Sequence, residues 1–196
     1  NGIQAVGGAD RGLTLLSFQH LVSVAVVGCD EDGVAVVYRT DREDPVAEVD
    51  LGNQVIFDLQ FWGKSWICAL GEEELLVFNT KGEILGRYDA GGVTDFDLGG
   101  DGFAVLVLPG SGGQTLVTVN AKGEELGRLA LTGGVTDVSV RGKYVAFLAG
   151  QTCTIAGKKL EPWFSTQEVG SATQVQACTN GAAYLVSGRS GLRVLP

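Results

Sequence analysis

A nine-residue signature occurs twice in this chain, as Asn79-Thr-Lys-Gly-Glu-Ile-Leu-Gly-Arg87 and as Asn120-Ala-Lys-Gly-Glu-Glu-Leu-Gly-Arg128, 41 residues apart. Each copy is followed by Gly-Gly-Val-Thr-Asp, at 91–95 and again at 133–137. An internal repeat narrows the fold more than any single motif, because each unit must bury its apolar faces against a neighbour of the same kind. Extending outward, Val93-Thr-Asp-Phe-Asp-Leu98 matches Val135-Thr-Asp-Val-Ser-Val140 and, more loosely, Ile56–Phe61 and Ala172–Ala177. A weaker fifth copy begins near Val24, so the starts are separated by 32, 37, 42 and 37 residues.

Each unit reads as four short strands. In the third copy, Val93–Leu98 alternates in polarity, Asp101-Gly102 signals a hairpin, and Phe103–Leu108 is a β-rich run. Gly110–Gly113 makes a turn, Thr115–Val119 a third strand, Lys122-Gly123 another turn and Glu124–Leu131 a fourth strand. No window keeps the 3.6-residue helical period, so the chain is predicted to be all-β. Four strands every forty residues or so is the spacing of a β-propeller blade, and blades buried on both faces explain the unbroken apolar run Phe103–Leu108.

The expected organisation is one propeller domain over 1–196, with blades at 19–53, 54–92, 93–134, 135–171 and 172–196. The last copy has room for about three strands, so Ile3–Phe18 is expected to complete it and close a five-bladed ring. An arc of a larger ring, or closure by dimerisation, fits the same pattern. The chain opens on Asn1 and contains no methionine, which marks an expected processed product with an N-terminal segment upstream.

The alternation of Val-Thr-Asp strands with Asn-x-Lys-Gly-Glu-x-Leu-Gly-Arg hairpins resembles the propeller superfamily of WD-repeat, YVTN-type and quinoprotein-like proteins. More narrowly it resembles an uncharacterised family of Firmicute proteins with one N-terminal transmembrane helix and an extracellular propeller-like domain. The likeness covers about residues 19–196, lacks the Trp-Asp blade ending of true WD repeats and carries no catalytic motif. It implies an extracellular or cell-surface domain, membrane-anchored only through a segment upstream of Asn1. A shared fold remains an analogy for function.

Charge removes some partners. With 23 acidic against 14 basic residues the net charge is −9, which opposes binding to nucleic acid and to anionic lipid. The most apolar stretch, Leu13–Gly28, is interrupted by Ser17, Gln19, His20 and Ser23 and is too broken to span a bilayer.

The chemistry is sparse. His20 is the only histidine, no Gly-x-Ser-x-Gly elbow is present, and no catalytic residue or cofactor is assigned. Gly63-Lys64-Ser65 imitates the end of a phosphate loop, yet the first loop glycine is replaced by Asp58, so a hairpin accounts for it. Cys29–Gly33 imitates a calcium loop, but Gly28 and Arg39 stand where ligands are needed, and no metal is assigned.

Three feature sets remain. Asp58, Asp95 and Asp137 recur at one position of successive innermost strands, with Gln174 in the next copy. They form either a ligand-binding channel ring or a set of backbone acceptors. Trp62, Trp66 and Trp163 are candidate aromatic contacts or core residues. Cys29 and Cys178 both fall near a first hairpin turn and are a candidate disulfide, while Cys68 and Cys153 are expected to be buried thiols. The expected function is a non-enzymatic interaction or scaffold domain for a protein, peptide or glycan. The alternatives are a propeller enzyme or cofactor-binding domain using channel carboxylates, and a structural spacer.

Overall fold

In the computed structural model, residues 15–18, 25–30 and 32–196 are described. They form strands joined by turns, with no helix among them. The strands fall into five antiparallel sheets, each in simple sequence order. The first is β1 Leu15–Phe18, β2 Ala25–Cys29, β3 Val34–Arg39 and β4 Ala47–Asp50; the second is β5 Ile56–Trp62, β6 Trp66–Gly71, β7 Glu74–Asn79 and β8 Ile84–Asp89. The third is β9 Asp95–Asp97, β10 Phe103–Gly110, β11 Gly113–Asn120 and β12 Glu125–Leu131; the fourth is β13 Val135–Arg141, β14 Tyr144–Ala149, β15 Thr152–Gly157 and β16 Pro162–Thr166. The fifth has three strands, β17 Gln174–Ala177, β18 Ala183–Ser187 and β19 Ser190–Val194.

The chain divides into two compact units, residues 1–89 with the first two sheets and 90–196 with the other three. In the first, Val27 and Val37 of one sheet pack with Ile67, Leu76 and Phe78 of the next. Each such side chain, once fully buried, contributes on the order of 1.5–3 kcal/mol. In the second unit, Val105, Val107 and Leu116 pack with Val140, Val145 and Phe147, and on the far side of the fourth sheet Leu148 and Ile155 pack with Val175 and Leu185. The fourth sheet is therefore buried on both faces, which is why its second strand, Tyr144–Ala149, reads as an apolar run.

The first sheet corrects two expectations. Leu15–Phe18 pairs with Ala25–Cys29, with Leu15 opposite Cys29 and Phe18 opposite Val26, so it opens the first sheet instead of completing the last. A hairpin to the adjacent segment closes a short loop at small entropic cost, which favours the local partner. The copy that seemed to begin near Val24 thus starts on a second strand. Asp32-Gly33 joins β2 to β3, whereas Asp101-Gly102 joins β9 to β10 and Asn180-Gly181 joins β17 to β18. Gly33, Gly102 and Gly181 all take positive φ, at 77°, 73° and 86°. Turn chemistry marks a hairpin without saying which hairpin it is. The rest of the expected closing segment, residues 3–14, and His20 lie outside the described residues.

Candidate functional site

The recurrent aspartates sit where a strand opens. In β5 and β13 the pairing slips by one residue just before the carboxylate, between Ile56 and Asp58 and between Val135 and Asp137. Such a bulge re-aims the side chain that follows it. Asp58 Oδ1 accepts the Leu59 N–H at 2.8 Å and Oδ2 accepts Gln60 Nε2 at 3.0 Å; Asp95 Oδ1 accepts the Phe96 N–H at 2.9 Å. Asp137 Oδ2 accepts the Val175 N–H from the first strand of the following sheet. The Val138 N–H faces both Asp95 and Asp137. Gln174, the counterpart in the last sheet, is exposed.

A second tier lies two residues further along, and the repeat comparison misses it because the residue type changes. Asp97 Oδ2 accepts the Val140 N–H at 2.8 Å, and buried Ser139 Oγ accepts the Ala177 N–H at 3.1 Å and Gln176 Nε2 at 3.0 Å. Asp97 and Ser139 hold equivalent positions in their repeats, so equal offset from Val-Thr-Asp was the available signal. In the second unit Asp97, Asp137 and Ser139 tie the first strand of one sheet to the first strand of the next through side chain and amide, whereas the Asp58 bonds named above stay within β5.

These contacts and burial pull on the carboxyls in opposite directions. Burial raises the Asp95 carboxyl, the Phe96 N–H works against it, and the charges of Asp137 and Asp97 add to the rise. Asp137 is likewise raised by burial, with the Val175 and Val138 amides opposing and Asp97 reinforcing. Among the described residues, no group of three or more His, Cys, Asp or Glu side chains is arranged to hold a metal ion.

The tryptophans separate. Trp62 is buried at 4% exposure, Trp66 is 37% exposed and Trp163 is 52% exposed. Trp163 meets Tyr144 edge-on, with ring centroids 5.3 Å apart and planes at 86°, and Lys143 Nζ stands 5.3 Å from the Tyr144 centroid. Gly157 lies beneath the indole: a Cβ there would fall 2.6 Å from Trp163 Cζ2. The missing side chain lets a large ring lie flat on the sheet while its outer face stays in solvent.

The cysteines do not join. Cys178 is a free, partly exposed thiol, so the candidate bridge to Cys29 is not formed. Burial, with help from the Asp30 charge, pushes the Cys29 thiol up to about 11; burial pushes Cys153 up to about 11, and burial with help from the Asp58 charge holds Cys68 well above the ordinary thiol range.

No protein-family model and no curated protein sequence matches the chain. Solved structures do. Hsv2 from Kluyvelomyces marxianus aligns with 85% of this chain and 55% of its own at TM-score 0.65 and 15% identity. BamB from Moraxella catarrhalis aligns with 92% and 57% at TM-score 0.55 and 16% identity. The computationally designed Ika8 protein aligns with 94% and 58% at TM-score 0.67 and 18% identity. All three are β-propellers, and the sheets of this chain are propeller blades. The chain spans between 55% and 58% of the lengths of these three, and at such identities the likeness is one of fold. Among the described residues no helix is long and apolar enough to cross a membrane.

Proposed function

We propose that the chain is a non-enzymatic interaction module that presents the turn ends of its blades to a protein, peptide or glycan. The observation that carries this reading is the half-exposed Trp163, braced by Tyr144 and bare on its outer face. An ordered indole offers a large contact area at little conformational cost on binding. The inner-strand aspartates support the same reading from the other side. Asp137 and Asp97 already accept backbone amides of the following sheet, as a blade-to-blade tie would, and Asp95 accepts the Phe96 N–H of its own strand. The extracellular, anchored placement implied by the family resemblance is part of the proposal, as is its ligand class.

A carboxylate-based enzyme is the competing reading, and the raised Asp95 and Asp137 carboxyls favour it, since perturbed acids cluster at catalytic sites. The two separate on printed arrays of oligosaccharides and of random peptides, probed with the whole chain and with Trp163→Ala. The module reading expects spots that bind the parent chain and lose at least about tenfold in signal with the variant, in keeping with the weight of a central aromatic anchor. Arrays that bind both forms equally, or ligands consumed in an Asp137-dependent way, overturn it.

A further inference from the structure

We infer that the first unit carries a second, electrostatic site, a cationic cavity that takes an acidic peptide segment. The inference rests on the interaction-module reading for its ligand class and on a separate set of residues for its location.

All six lysines, 64, 81, 122, 143, 158 and 159, stand in turns joining the first to the second or the third to the fourth strand of a sheet, which lie at the same end of each blade. In the first unit this end opens into a cavity of about 490 Å³ between the first and second sheets. Arg39, Arg42, Lys64 and Lys81 line it, together with Thr80 and the apolar residues Ala25 and Val46. Among the described residues that line it there is no carboxylate, in a chain where acids outnumber bases 23 to 14. The cavity at the opposite end of the same two sheets, about 320 Å³, has the reverse character, lined by Asp30 and Glu72 with no cation among its described lining residues.

The cations are held by built structure. Arg39 donates Nε and Nη2 to Asp41 at 2.9 Å each, which fixes the guanidinium at the wall. Asn79 Oδ1 accepts the N–H groups of Lys81 and Glu83 at 2.8 and 3.0 Å, and Thr80 N–H donates to Ser65 O at 3.0 Å, tying the Lys81 turn to the Lys64 turn. Gly82 rests against β4: a Cβ there would stand 3.3 Å from Ala47 Cβ. The same turn recurs at Asn120, Lys122 and Glu124 with the same hydrogen bonds, so its lysine belongs to the repeat. Arg39, which ends β3, and Arg42, from the seven-residue connection that follows it and is longer than the other third-to-fourth-strand connections, are what make this copy a cluster.

Physics selects the ligand. A chain of net charge −9 repels a polyanion at long range, so an acidic partner needs a concave cationic focus to dock. With Arg39 already paired with Asp41, Arg42 and Lys81 are the charged heads that an open cavity offers to spaced carboxylates, and Ala25 and Val46 suit the aliphatic stems that carry them.

The test is fluorescence anisotropy of a fluorescein-labelled hexaglutamate peptide titrated with the whole chain. The expected result is saturable binding that weakens from about 50 to about 200 mM salt and falls at least about tenfold in the R42E/K81E variant, with K122E unchanged. The neutral pair R42Q/K81Q should fall between parent and R42E/K81E, and matched thermal midpoints establish that each variant is folded. No saturable binding, or equal binding by parent and R42E/K81E, overturns the site, as does capture of an oligonucleotide or of phosphatidylserine vesicles in preference to the peptide. Because Trp163 lies in the other unit, loss of peptide binding with Trp163-dependent array binding intact removes this site alone. Loss of both removes the module reading.

Discussion

Asp95 and Asp137 hold their charge against their surroundings. Each accepts backbone amides that favour the carboxylate, yet burial and neighbouring carboxylates outweigh them, and both are raised from the ordinary value of 3.8. A carboxyl raised in the folded state contributes stability that is fully present below its unfolded pKa and is lost as pH rises through its folded one. Asn at 137 does not titrate and keeps one acceptor oxygen. The stability of the parent chain relative to Asp137→Asn should therefore increase as pH is lowered from neutral through the raised range of this group. Urea unfolding of both proteins across that range measures it, and a difference that is flat or falls with acidification contradicts the assignment. Asp97 reinforces both rises, so Asp97→Asn should bring the carbon-13 titration midpoints of Asp95 and Asp137 downward together.

Strands and turns carry the repeat, and here the sequence was most readable. Asn-x-Lys-Gly-Glu is a hairpin because Asn79 and Asn120 each cap two amides of the turn that follows, a local bond set that needs no tertiary context. The continuous apolar runs of β10 and β14 announced burial on both faces. What stayed hidden was whatever depends on the neighbouring sheet. Asp32-Gly33 looks like Asp101-Gly102, yet one is a second turn and the other a first, and only pairing with Leu15–Phe18 reveals it. Gly127, in the Leu-Gly-Arg of the signature, was equally opaque. A Cβ there would lie 2.4 Å from the carbonyl carbon of Lys159 in the next sheet, beside the bond from buried Thr118 Oγ1 to Lys158 O. Backbone cannot retreat as a flexible side chain can, so Gly127→Ala should lower stability by about 2–3 kcal/mol. Gly133→Ala, where an added Cβ meets nothing within 4 Å, should change it by less than about 0.5 kcal/mol. Chemical denaturation of the pair decides the matter. Equal effects would mean that the third and fourth sheets are not pressed together at this point.

Across the molecule the same topology sorts reactive groups by end and by depth. The candidate site was only half legible for this reason: the Val-Thr-Asp recurrence pointed to the aspartates, while the cationic cavity draws on Arg39, Arg42, Lys64 and Lys81, which no motif links and only adjacent sheets assemble. The cysteines make the sorting measurable. Cys68 and Cys153 lie in strand interiors, Cys29 at the buried end of β2, and Cys178 in a partly exposed turn. Thiolate is the species that alkylates, and thiols held up to about 11 at Cys29 and Cys153, with Cys68 also well above its ordinary range, supply almost none near neutral pH. Brief iodoacetamide treatment of the native chain should therefore add one carbamidomethyl group by intact mass, at Cys178. Unfolding before treatment should add four, with or without prior reductant, because all four side chains are then exposed thiols. A disulfide between Cys29 and Cys178 would instead give two adducts on the unreduced, unfolded chain. Several native adducts appearing at one rate would mean that the blades open together on the timescale of labelling, a cooperativity that sheets buried against one another on both faces should resist.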